Sequence, residues 1–324
     1  LTGVNLAILD LAQGSVSSFA VAFTVNEKGI RHMPYRKILV PVIGAASDKA
    51  ALSAAFALAK QFGAHTEALF VRLEPLRAVP YGYVGGDVSG YSAQYAIEAA
   101  IKASDEAQRL AAEAFKAKAA KFAVEVKPKP GARPDATAHL KVVQGDFADE
   151  IEREARLSDL VVFGLVPNGE GQDTIRGGFE AALLSGTHPV LFVPNEPAES
   201  PGQRIAIAYD GSATAAHAVM AALPFLSRAK AVHSFEITEA TGTSEPLTEL
   251  REYLALRGIG VIEHLVDPGP KTTADALLLA VQAQRCDMLV LGGYGHSRIR
   301  EFVLGGVTRH LVRQGAPFAV LMAH

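Results

Sequence analysis

Cysteine occurs once in this chain, at Cys286, so there is no internal disulfide and no Cys-x-x-Cys pair for a metal or for redox exchange. Set in the apolar run "RCDMLVLG", the lone thiol reads as a small buried residue and fits a reducing compartment, the cytoplasm. Positive charge is not in excess either. Lys and Arg number 31 against 34 Asp and Glu, a formal net charge of -3, and no basic run reaches five residues. Nucleic acid is therefore a poor partner, since tracking a phosphate backbone needs clustered cations. The first 32 residues lack an uninterrupted apolar stretch, because Asp10, Gln13, Gly14 and Ser15 break it early. They also lack the leading positive charge and small-residue cleavage motif of a secretory signal, so no membrane partner is expected. We expect 1–33 to be an extension that is disordered or not native, with the natural start at Met33.

What is present is length enough for two domains, 324 residues with 49% apolar. It also holds an internal repeat. "RKILVPV" (36–42), "AALSAAFALAKQFG" (50–63) and "HTEALFVRL" (65–73) read as strand, helix and strand. "QRIAIAYDGS" (203–212), "TAAHAVMAALPFLSRA" (214–229) and "KAVHSFEIT" (230–238) repeat that order. "SDLVVFG" (158–164) then matches "CDMLVLG" (286–292), and closing strands follow in "HPVLFVP" (188–194) and "PFAVLM" (317–322). The seam falls at "NEPAESPGQ" (195–203), which divides the chain into 34–195 and 203–324. Short continuous apolar strands alternating with helices call for parallel sheets covered on both faces. The predicted fold class is α/β: two tandem doubly wound, five-stranded, mainly parallel sheets with flanking helices. The first copy alone carries an aromatic and glycine-rich loop at 79–95 and a helix at about 96–122. A lid, a pocket wall or a surface loop all fit that loop.

In such sheets ligands sit beyond the strand carboxyl ends where the winding reverses. Both "AYDGS" and "GGYGHSRIREFVLGGVT" (292–308) begin at such ends. Gly292, Gly293 and Gly295 permit close backbone approach to an anion, and Gly305 and Gly306 lead into an amphipathic helix whose first amides favour negative charge. Ser297 and Thr308 add hydroxyls; Arg298, Arg300 and Arg309 add charge. The alternative is a strand that merely turns tightly into a helix, for which glycine is equally suited.

"AYDGS", the glycine stretch and "APFAVLM" together resemble the universal stress protein family, whose nucleotide-binding members carry Gly-x2-Gly-x9-Gly followed by Ser or Thr. Here Gly292, Gly295 and Gly305 keep that spacing, while Gly306 stands where the family usually has a hydroxyl residue. Thr308 matches a further phosphate-contacting position. The resemblance implies an adenine nucleotide, ATP with or without Mg2+, in the second copy. Ala208 and Tyr209 would line the base pocket by their backbone, and Asp210 would receive the ribose, unless "DGS" only caps a turn. Gly292, Gly295, His296, Ser297, Gly305, Gly306, Val307 and Thr308 would surround the phosphates. It also implies that the closing strands meet at a pseudo-twofold axis, an intramolecular pseudo-dimer, with further homodimer pairing left open.

The first copy departs from the pattern. Ile43 stands where the second copy has Asp210, and Pro167 where it has Gly295, removing a carboxylate and a backbone N–H. Glu170 and Asp173 add negative charge, and Gly177 and Gly178 are expected just ahead of a helix. We expect a degenerate copy that supports its partner.

No catalytic residue is assigned. His296 is the only titratable base in the glycine loop, and neither it nor Asp210 has a spacing that specifies a reaction. The other histidines lack metal-ligand spacing. A Gly-Lys-Ser/Thr ending is missing, and the glycines follow the fourth strand rather than the first, which disfavours a motor, a kinase or a dehydrogenase. The expected function is cytoplasmic nucleotide binding in stress response or signalling; a nucleotide-free scaffold and a slow ATPase are the alternatives.

Overall fold

The computed structural model describes residues 35–74, 90–130, 135–165, 171–184, 188–195, 201–238, 242–293 and 306–324. The 1–33 segment lies outside them. In the first half β1 (Lys37–Val42), α1 (Ser47–Phe62), β2 (His65–Arg72), α2 (Gly90–Phe122), β3 (Glu125–Val126) and β4 (Thr137–Gln144) follow one another. Then come α3 (Phe147–Ala155), β5 (Leu160–Gly164), α4 (Gln172–Leu184) and β6 (Val190–Val193). The second half runs β7 (Arg204–Ala208), α5 (Ala213–Leu226), β8 (Ala231–Ile237), α6 (Glu245–Ala255) and β9 (Ile262–Val266). It ends with α7 (Thr273–Ala283), β10 (Met288–Gly292), α8 (Gly306–Gln314) and β11 (Ala319–Ala323).

Apolar residues at every position of β5, β6 and β11 leave no polar face, so both sides must be covered by helices. One face gathers Ile38, Val40, Val162, Ile207 and Val290; the other gathers Leu39, Val161, Phe163, Leu289 and Val320. The first is packed by α1 and α5, the second by α3, α4 and α7. Each fully buried aliphatic side chain contributes about 1.5–3 kcal/mol. The helix ends follow local chemistry. Gly63 closes α1 in the left-handed region at φ 66°, and Asp146, Ser212, Ser244 and Thr272 cap the starts of α3, α5, α6 and α7.

The two expected sheets are joined into one of eleven strands, ordered β3-β4-β2-β1-β5-β6-β11-β10-β7-β8-β9. The closing strands meet as the resemblance implied: β6 and β11 pair antiparallel, with Leu191 opposite Leu321, Val190 opposite Met322 and Phe192 opposite Val320. All other pairings are parallel. Among the described residues the first half has six strands rather than five. The extra one, β3, follows the inserted helix and lies against the edge of β4 for two residues.

Two boundaries move. Helix α2 begins at Gly90, ahead of the expected 96, and takes in the end of the predicted loop. Helix α4 begins at Gln172, so Gly177 and Gly178 lie inside it rather than before it. A side chain at Gly178 would meet the Phe147 ring of α3 at 2.5 Å, so this glycine serves a close approach of two helices.

Candidate functional site

In the second half the chain steps from β7 outward to β8 and β9, then returns to the other side of β7 with β10. The reversal leaves a gap between the carboxyl ends of β7 and β10. A cavity of about 820 Å³ opens there, within the range of small-molecule sites. Ala208, Tyr209 and Asp210 line it from β7, Gly292 from β10, and Gly306, Val307 and Thr308 from the start of α8. Seven residues expected from two stretches about eighty positions apart thus share one cavity. Gly295, His296, Ser297 and Gly305 lie outside the described residues.

Each strand end is shaped by what it touches. A side chain at Gly292 would meet the Ala215 backbone nitrogen at 2.6 Å and the Thr214 hydroxyl oxygen at 2.7 Å, so the start of α5 can lie against the strand only where there is none. At Gly306 the opposite holds: among the described residues nothing lies within 4 Å of an added Cβ. Asp210 is exposed, and its Oδ1 accepts a hydrogen bond from the Ser212 amide at 3.0 Å, closing the turn that "DGS" suggested. The Tyr209 phenol is pushed above its ordinary pKa by burial and then by the nearby Glu249 and Asp210 charges. It is held as a neutral donor.

The sequence reading missed one wall. Phe235, Glu236 and Ile237 from β8, with Lys271, Thr272 and Thr273 before and at the start of α7, line the same cavity. Glu236 accepts from the Ser244 hydroxyl, which ties it to the cap of α6. The signal available was positional. These residues close the second strand of the half and follow the third, and "PGPKTTAD" carries a turn and a helix cap. Two helix starts, α7 and α8, and Lys271 line the cavity together with Asp210 and Glu236, its carboxylates among the described residues, an arrangement suited to an anionic ligand with hydroxyl groups.

The matching end of the first half is filled by the chain itself. The Asp48 carboxylate accepts from the amides of Ile43 and Gly44, the latter at 2.8 Å. Burial outweighs those bonds and pushes its pKa up to about 6. Ile43 packs under Gly171, and the α2 backbone at Ala107 comes so near Gly44 that a Cβ there would be 2.5 Å from its carbonyl oxygen. The inserted helix lies against this strand end, while residues 79–89 of the loop read as a lid, a pocket wall or a surface loop lie outside the described residues. A bridge from Arg72 to Asp105 helps to hold it.

Residues 202–324 match the model of the Universal stress protein family. No curated protein matches the chain. Among solved structures, a universal stress protein from Archaeoglobus fulgidus DSM 4304 has a TM-score of 0.62 at 17% identity, over 89% of this chain and 97% of that one. A putative universal stress protein from Pseudomonas aeruginosa UCBPP-PA14 has a TM-score of 0.51 at 15% identity, over 90% and 94%. The fold of the chain is thus that of universal stress protein structures, and its second half carries one domain that the family model describes. Among the described residues no helix is long and apolar enough to cross a membrane.

Proposed function

We propose that the second half, 203–324, binds ATP or a related adenine nucleotide, and that the first half, 34–195, is a degenerate copy that supports it without binding one. The base and ribose lie along Ala208, Tyr209 and Asp210. The phosphates lie between Gly292 and the start of α8, where Gly306, Val307 and Thr308 offer amides and one hydroxyl; Gly295, His296, Ser297 and Gly305 complete the loop. The observation that carries this reading is the meeting of both stretches in one cavity of about 820 Å³. The choice of an adenine nucleotide rests on the match of 202–324 to the universal stress protein family.

Any magnesium arrives on the nucleotide's phosphates, since among the described residues no three or more His, Cys, Asp or Glu side chains gather to hold a metal. The chain serves as a cytoplasmic stress-response or signalling module, its single thiol buried. Calorimetric titration with ATP, GTP and AMP tests the reading. ATP binding that Asp210→Ala weakens several-fold is expected. Absence of binding by every nucleotide would replace it with the scaffold reading, which Gly306 in place of a hydroxyl residue favours.

A further inference from the structure

The strand ends after β5 and β10 are equivalent. The Leu165 amide donates to the Val193 carbonyl at 2.9 Å, as the Gly293 amide donates to the Ala323 carbonyl at 2.7 Å. Yet one position carries leucine and the other has no side chain. What fills the space beside Gly293 comes from the other half: a Cβ there would lie 2.8 Å from Cδ2 of Leu183, near the end of α4. The counterpart of Leu183 in α8 is Leu311, and Leu311 lines with Leu165 one apolar cleft of about 10 Å³, too small for more than a water. All three leucines are buried, Leu183 wholly. The contacts are therefore reciprocal across the β6 and β11 seam: each half's late helix backs the other half's strand end.

These contacts reach the proposed pocket from behind. Gly293 follows Gly292, and Leu311 is one helical turn beyond Thr308, on the helix whose start lines the cavity. We propose that the first half is the positioning half of the nucleotide pocket: Leu183 seats the strand end at Gly293, and Leu165 seats α8 through Leu311. Resting on the nucleotide reading above, this assigns the copy that binds nothing a role in the affinity of the other. Packed interfaces change in discrete arrangements rather than by smooth yielding, so a void opened behind the glycines displaces the amides in front of them. Leu183 and Leu165 are positioning residues, and neither touches the ligand.

The experiment measures ATP affinity by calorimetry, and amide hydrogen exchange of α8 without nucleotide, in Leu183→Ala, Leu165→Ala and Leu183→Met. Phe56→Ala, a fully buried change on the other face of the sheet in the first half, serves as the control for lost stability. Each Leu→Ala variant is expected to raise the ATP dissociation constant about threefold to thirtyfold and to speed exchange in α8. Leu183→Met restores the parental values. Phe56→Ala lowers the unfolding temperature and leaves affinity and α8 exchange unchanged. Equal affinity in parent and Leu→Ala variants, or an equal loss in Phe56→Ala, overturns the proposal. If the parent binds no ATP, the nucleotide reading fails by itself. The exchange data then decide positioning: faster α8 exchange in the two Leu→Ala variants but not in Phe56→Ala upholds it, and any other pattern overturns it.

Discussion

The Arg204 guanidinium lies 3.2 Å from Nε2 of His233 and, being always a donor, fixes that nitrogen as an acceptor. The ring proton is then on Nδ1, which donates to Nε2 of His264 at 3.0 Å. Gln284 holds the guanidinium through its carbonyl, and the Phe235 ring stacks on His264 at 4.7 Å. The strand registers put Lys37 and Glu67 of the first half where Arg204 and His233 stand in the second. Lys141 there takes the place of His264, beside Glu154. Where one half carries the Glu67 and Lys141 side chains, the other carries a chain of two imidazoles.

Acid should break that chain. Burial lowers the pKa of both rings; for His233 the neighbouring His264 and Arg204 add to it. A folded pKa below the unfolded value of about 6.5 means that the unfolded chain takes up protons first. The stabilisation is complete above about pH 6.5 and is lost as pH falls through the lowered folded value. His264→Gln keeps an acceptor for His233 and removes one titrating ring. Thermal unfolding followed from pH 7.5 to 5 should show a smaller fall in Tm for this variant than for the parent.

Asp48 works in the other direction. Its folded pKa of about 6 exceeds the unfolded value of about 3.9, so stability declines as pH rises from about 4 to 6 and is level above. Asp48→Asn retains an oxygen for the Ile43 and Gly44 amides and carries no charge to desolvate. Urea unfolding should find it more stable than the parent at pH 8, by up to about 3 kcal/mol from a two-unit shift, with the gain gone at pH 4. A loss at pH 8 would mean that the charge, rather than the acceptor alone, holds the turn.

Gly306 gives a prediction of opposite sign to most substitutions. It opens α8, and an added Cβ meets nothing within 4 Å among the described residues. Gly306→Ser should tighten ATP binding about threefold to tenfold, the worth of one added hydrogen bond of about 0.5–1.5 kcal/mol. Titration of the two proteins side by side checks it, and weaker binding by the serine variant would remove the phosphates from this helix start.

Two glycines, one at a strand end and one inside a helix, should respond differently to alanine. At Gly292 the new methyl meets backbone and hydroxyl atoms of α5, so Gly292→Ala should cost about 1–3 kcal/mol and weaken nucleotide binding. Gly177, inside α4 with open space around it, should gain up to about 1 kcal/mol on the same change. Denaturant midpoints of both variants are the measurement.

The strands were legible because a strand buried on both faces leaves a continuous apolar run, as in "LVVFG" and "MLVLG". The halves of the cavity were legible where glycine and aspartate mark strand ends. Lys271 and Thr272 were not, since nothing local distinguishes the cap of α7 facing a cavity from any other cap. His233 and His264 were read as scattered because 31 residues separate them, and only the pairing of β8 with β9 brings their rings together. Asp48 precedes the helix read at 50–63, and only the fold, with α1 starting at Ser47, buries it against the Ile43 and Gly44 amides. Gly177 and Gly178 misled because glycine marks helix starts and helix contacts alike.

The seam between β6 and β11 has one more consequence. Each of these strands is hydrogen-bonded on both sides, β6 by β5 and β11, β11 by β6 and β10. Two separate copies would form such a seam only above their dissociation constant, and could trade partners with any relative presenting the same strand. Joined in one chain, the strands face an effective concentration in the millimolar range however dilute the solution. The pairing is thus insulated from protein abundance and from exchange with other chains.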